Sequence, residues 1–168
     1  PALVKAILVS GAKNLNSMVY QFAPLETAPT LVHQGWGELD LVHSIEGAPI
    51  PDQKLFFADQ DNASPLNTSN RWARTVSLGP NVGGMKITLA WTDVAGTPGA
   101  GSQLVNDLDL ILRASDGSGW FGNYFAADGL HSEKIDPEDL FPLTLDEMNE
   151  QLGDHVNNVE IIQVPDLP

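Results

Sequence analysis

The chain has no cysteine, few cations and no long apolar run, and each shortage removes a class of chemistry. Without cysteine there are no disulfides, no thiolate metal sites and no cysteine nucleophile, although a chain of this size buries a core without such staples, so the compartment stays open. Eight Lys and Arg stand against 22 Asp and Glu, a net charge of −14. That balance opposes nucleic acid and anionic membrane surfaces, which gain nothing from an acidic partner. No stretch is apolar for long enough to span a bilayer, and no signal peptide is visible. The chain begins at Pro1, so the natural amino terminus is expected elsewhere. Its 168 residues suit one domain, or one domain with a piece of another, and the pattern of residues favours the second.

What is present is organised around Leu104 to Leu112. Read as a strand, this stretch puts Leu104, Leu108, Leu110 and Leu112 on one face and Val105, Asp107, Asp109 and Ile111 on the other. Two carboxylates two residues apart then point the same way, with α-carbons about 7 Å apart. They repel unless solvated or bridged by a cation, and a hard divalent ion with six to eight oxygen ligands suits them, Asn106 adding an amide oxygen. The competing reading is a half-buried strand with an acidic solvent face.

Residues 1 to 12 read as a short helix, apolar on every side except at Lys5 and Ser10, and stopped by Gly11. Residues 13 to 34 carry two prolines and no sustained period, as a loop would. Gln34-Gly35-Trp36-Gly37 permits a tight turn before a short helix within 38 to 45. Gly47, Pro49 and Pro51 mark a domain boundary, dividing residues 1–47 from 48–168. Beyond it the period changes to two: strands are expected over 54–59, 71–78, 85–93, 120–125 and 159–164, with Ser115 to Gly119 as hairpin chemistry. Residues 126 to 154 interrupt this as an acidic insertion, the Asp and Glu pairs over 136–147 reading as solvated charges, with a short amphipathic helix over 143–152 starting from Thr144 as its cap. Short strands with Gly, Pro and Asp turns predict a mainly β chain, an antiparallel β-sandwich or jelly roll, after a short helical segment.

Two sets of residues carry a resemblance. Pro1 to Ala12 followed by Gln34-Gly35-Trp36-Gly37-Glu38-Leu39-Asp40-Leu41 resembles the end of the α/β catalytic domain of subtilisin-like serine proteases. Leu89-Ala90-Trp91-Thr92-Asp93, Leu104 to Leu110, Gly122-Asn123 and Asn157-Asn158-Val159-Glu160 resemble the C-terminal β-barrel of the alkaline, oxidant-resistant members, a jelly roll similar to the P domain of proprotein convertases. The resemblance implies a secreted protease fragment: the incomplete tail of a catalytic domain, then a Ca2+-binding jelly roll. The matching oxygen-bearing residues are Asp93, Asn106, Asp107, Asp109, Asn123, Asn158 and Glu160. It also implies that the triad lies upstream, so this chain holds no catalytic residue and is inactive alone. The partners implied are the upstream catalytic domain of the same protease and that enzyme's peptide substrate. The chain departs from the family in its longer loop at 13–34, in the acidic insertion, and in stopping before a further strand, which would leave 159–164 an open sheet edge.

Other constellations are weaker. His33, His43, His131 and His155 lack zinc spacing. The glycine-rich Gly96 to Gly101 leads into a strand and lacks a following Lys-Ser/Thr pair, so it reads as a connector. Trp91 belongs to the core, whereas Trp120, beside Phe121 and Tyr124, is a candidate for stacking on a sugar. The alternative to a protease fragment is a free-standing calcium-dependent β-sandwich that binds carbohydrate or protein.

Overall fold

The computed structural model describes residues 1–15, 30–45, 54–60, 63–79, 82–140 and 143–165. The elements, in chain order, are α1 (Ala2–Gly11), α2 (Leu31–Gln34), α3 (Leu41–Ser44), β1 (Met85–Ala90), β2 (Ile111–Arg113), β3 (Gly119–Phe121), α4 (Pro137–Leu140), α5 (Leu145–Leu152) and β4 (Val159–Val164). The antiparallel class expected is what forms, as two two-stranded sheets with short helices, and the described residues contain no closed barrel.

β1 and β4 pair antiparallel from Met85↔Val164 to Ala90↔Val159. Alternation sends their side chains to two faces, and each face is covered. On one, Val9 of α1 meets Val159 and Ile161, with Trp36, Ala90 and Phe125 around them. On the other, Ile162 and Val164 pack with Trp120, Ile87, Leu110 and Leu112. The β2–β3 hairpin is the next layer, in register Ile111↔Phe121 and Leu112↔Trp120. Its turn is closed by Asp116, whose carboxylate accepts from the Ser118 amide at 2.9 Å and hydroxyl at 2.6 Å, while Gly117 takes a left-handed φ of 92°. Phe121 faces outward onto Leu140 of α4 and Met148 of α5. The order is therefore helix, sheet, hairpin, helices. Side chains as buried as Ile162 and Phe121 each contribute about 1.5–3 kcal/mol of transfer free energy.

Several expectations are corrected. The acidic insertion 126–154 also supplies core, because Leu140 and Met148 cover the hairpin. α5 starts as its sequence predicts: Thr144 Oγ1 accepts from the Glu147 amide at 3.3 Å and Glu147 accepts from the Thr144 amide at 2.7 Å, a reciprocal capping box. α1, apolar on nearly every side in sequence, docks through one face. Lys5 Nζ donates to Asn158 Oδ1 at 2.8 Å, and Gly11 packs so closely on Ser44 of α3 that a methyl there would overlap it. Val4 nonetheless stays exposed. Residues 54–59 and 71–78 form no strand; they are extended or irregular, without a ladder, and mostly exposed. The long strand over 104–112 reduces to Ile111–Arg113, because the chain bends at Val105 and Asn106. Trp120 is 3% exposed, too buried to stack on a sugar. The boundary at Gly47, Pro49 and Pro51, and most of the 13–34 loop, lie outside the described residues.

The far edge of β4 is not open. Asn123, in a left-handed conformation with φ of 58°, lies along it. Its amide donates to Ile161 O at 3.0 Å, its Oδ1 accepts from Ile161 N at 3.0 Å, and its Nδ2 donates to Val159 O at 2.8 Å. Ser132 repeats the pattern two residues on, its amide donating to Gln163 O and its hydroxyl accepting from Gln163 N, both at 2.9 Å. Two residues thus stand in for a strand, satisfying backbone groups that an edge otherwise exposes.

Candidate functional site

The acidic residues gather where the chain leaves β1, approaches β2 and enters β4. Trp91 anchors the region: it is buried, its indole N–H donates to Asn106 O at 2.8 Å, and its carbonyl accepts from Asn158 Nδ2 at 3.1 Å. Asp93 then folds the next loop around itself. Its carboxylate accepts from the Val105 amide at 2.7 Å, the Asn106 amide at 3.1 Å, Asn106 Nδ2 at 2.7 Å and the Val94 amide at 2.9 Å. These donors, the Val105 amide foremost, hold its carboxyl below the usual aspartate range. Such a set is a structural clasp, and it accounts for the bend that interrupts the expected strand.

A second clasp sits at the entrance to β4. Asp154 accepts from the amides of Val156 at 2.9 Å and Asn157 at 3.1 Å, from Asn157 Nδ2 at 2.7 Å and from Asn123 Nδ2 at 2.5 Å. Burial pushes its carboxyl upward, but the bonds from Asn123 and Asn157 outweigh that and lower it. The turn held in this way presents His155.

Between the clasps lie Asp107, Asp109 and His155, each offering one ligand-type atom within 4.8 Å of the others. His155 Nδ1 is 2.6 Å from Asp107 Oδ2. Asp109 is half-buried, and burial first, then the charge of Asp107, raises its carboxyl above the usual range, with His155 opposing. Behind them stands Glu160 on β4, only 1% exposed. Its Oε2 accepts from the Leu110 amide at 2.5 Å, while its Oε1 is buried with no hydrogen-bond partner. Gly122 makes room for this carboxylate, since a Cβ there would overlap it. Burial, reinforced by the charges of Asp109, Asp154 and Asp107, pushes Glu160 up to about 8.

Of the seven oxygen-bearing residues singled out from sequence, the fold brings Asp107 and Asp109 together beside His155, and Glu160 lies near enough for their charges to raise its carboxyl. The other four are engaged elsewhere: Asp93 and Asn106 with each other, Asn123 along β4, and Asn158 between Lys5 and Trp91. His155 was not foreseen, because 48 residues separate it from Asp107. Its one signal was its place in an Asp-His-Val-Asn turn directly before the last strand.

No protein-family profile and no solved structure matches the chain. Over 170 aligned residues it is 31% identical to the serine protease/ABC transporter B family protein tagA of Dictyostelium discoideum. The chain is similar to part of a protein named as a serine protease. The alignment takes in 99% of this chain and 8% of that protein's length.

Proposed function

We propose that this chain is a non-catalytic part of a secreted subtilisin-like serine endopeptidase, a calcium-stabilised β domain that supports a catalytic domain elsewhere in the same polypeptide. The likeness to tagA and the two sets of subtilase-like residues support the protease side of this reading. The observation that carries the calcium side is the convergence of Asp107 and Asp109 beside the buried Glu160, whose Oε1 lacks a partner.

The donor set fits a hard cation. Asp107, Asp109 and Glu160 would hold calcium through carboxylate oxygens, with backbone carbonyls and water completing its coordination. Imidazole is a poor calcium ligand, so His155 acts from outside by orienting Asp107. The ion supplies positive charge that offsets the repulsion among three carboxylates and the burial of one. The protein's part is to keep Glu160 in place under Gly122 and to aim the two aspartates through the clasps of Asp93 and Asp154. In the whole enzyme, peptide hydrolysis would fall to groups outside this chain, and the partners of this domain would be the catalytic domain and, at its margin, the polypeptide substrate.

The test is thermal unfolding with calcium and with a chelator. Calcium at a hundredfold excess over its dissociation constant should add about 2.7 kcal/mol of stability, and Asp107→Asn together with Asp109→Asn should abolish the gain. A melting temperature indifferent to both additions would reduce the cluster to an ordinary acidic surface.

A further inference from the structure

β1 is fastened to β4 on one side alone among the described residues. Its antiparallel register makes Lys86, Thr88 and Ala90 the residues whose amide and carbonyl groups point the other way, since they lie opposite Gln163, Ile161 and Val159, which face Ser132 and Asn123. None of these outward groups of β1 has a described partner. The Thr88 hydroxyl is buried and also unpartnered. Seven residues upstream of Met85 ends a segment, 71–78, that has strand alternation but no ladder, with Trp72, Val76 and Leu78 all exposed. An open edge and an unpaired strand sequence lie on either side of one short connector, Gly79-Pro80-Asn81-Val82-Gly83-Gly84, rich in turn residues.

We propose that residues 71–78 are a strap that closes on β1 as a third antiparallel strand. The residue types fix the register. With Leu78 opposite Met85, Val76 falls opposite Ile87 and Trp72 opposite Trp91. These apolar side chains, with Arg74 between them opposite Leu89, then extend the layer in which Ile87 already packs with Trp120, Ile162 and Val164. On the other face Ser77 meets Lys86, Ala73 meets Ala90, and Thr75 meets Thr88, supplying the hydroxyl partner that Thr88 lacks. A slip of one residue would turn Val76 and Leu78 to the wrong face. The shortness of the connector makes closure onto the strap's own β1 favoured over capture by a second copy, because it keeps the effective concentration high. In the open position Arg74 lies over the Phe56 ring at 3.7 Å, a contact that holds the strap to residues 54–60 instead.

Because the chain has no cysteine, a pair can be introduced cleanly. In the register proposed, Val76 and Ile87 are a non-hydrogen-bonded pair, close enough for a disulfide. Val76→Cys with Ile87→Cys should oxidise to an intrachain disulfide in the monomer, whereas Thr75→Cys with Ile87→Cys, on opposite faces, should not. In the unaltered chain, the amides of Ala73, Thr75 and Ser77 should exchange hydrogen about a hundredfold more slowly than unstructured amides. Unstructured exchange rates at those three amides would overturn the proposal whatever the cysteine pairs do. A disulfide found only between two copies would overturn it in favour of strand exchange.

Discussion

Glu160→Gln tests most directly how burial and charge meet beneath the acidic cluster. A free glutamate titrates near 4.5, and in the folded chain this one is pushed up to about 8, chiefly by burial. The folded state therefore holds a proton that the unfolded state has released throughout the window from 4.5 to about 8. The associated stability is complete below 4.5 and is lost as pH rises through 8. At about 1.4 kcal/mol per pH unit the full effect is roughly 5 kcal/mol, of which about 3–4 falls between pH 5 and pH 8. For a chain of this size that corresponds to a fall in melting temperature on the order of 10 °C. Glutamine keeps an acceptor for the Leu110 amide but does not ionise. Urea unfolding of both proteins in chelator, across that pH range, should show the wild type losing about 3–4 kcal/mol relative to the variant, with the variant the more stable at pH 8. Calcium should shrink the wild type's loss, because a bound cation favours the carboxylate. Parallel stability curves for the two proteins would mean that Glu160 is ionised in the folded state, and the account of its buried, unpartnered oxygen would fail.

Asn123→Ala should cost about 3–5 kcal/mol in urea unfolding, since it removes side-chain bonds to Val159, Ile161 and Asp154 and leaves alanine with a φ of 58°. Asn123→Gly, which relieves the backbone but not the bonds, should recover only part of that. Thr144→Ala breaks the capping box at the start of α5 and should cost about 1 kcal/mol by the same assay, with no effect on calcium binding.

Period-two reading found β1 and β4 because each strand sends apolar side chains into packed layers on its two faces, so local pattern and final burial agree. It found the hairpin turn because Asp116 and Gly117 act over three residues. It failed at 104–110 because the strand-forming alternation there is overridden by Asp93, twelve or more residues away, whose carboxylate draws in two backbone amides. The cluster was half legible for a similar reason. Asp107 and Asp109 announce themselves by spacing, and Glu160 by its motif, but His155 arrives only through tertiary folding. In the acidic stretch the amphipathic helix that carries Met148 was legible, but the surrounding carboxylates concealed Leu140, which the hairpin also needs.

The bond between Asn123 and Asp154 has a consequence for how this chain tolerates change. It ties together the two ends of the excursion that leaves the hairpin and returns at β4, so the excursion is a loop closed at its base. Lengthening such a loop is inexpensive, about 0.6 kcal/mol for each doubling, provided the closure holds. Added residues are best borne in its exposed turns, where a reporter peptide or an affinity tag could be carried without disturbing the sheet. The same tether sets the limit: deleting the excursion outright would uncover Phe121, so this part of the molecule can be enlarged far more readily than it can be trimmed.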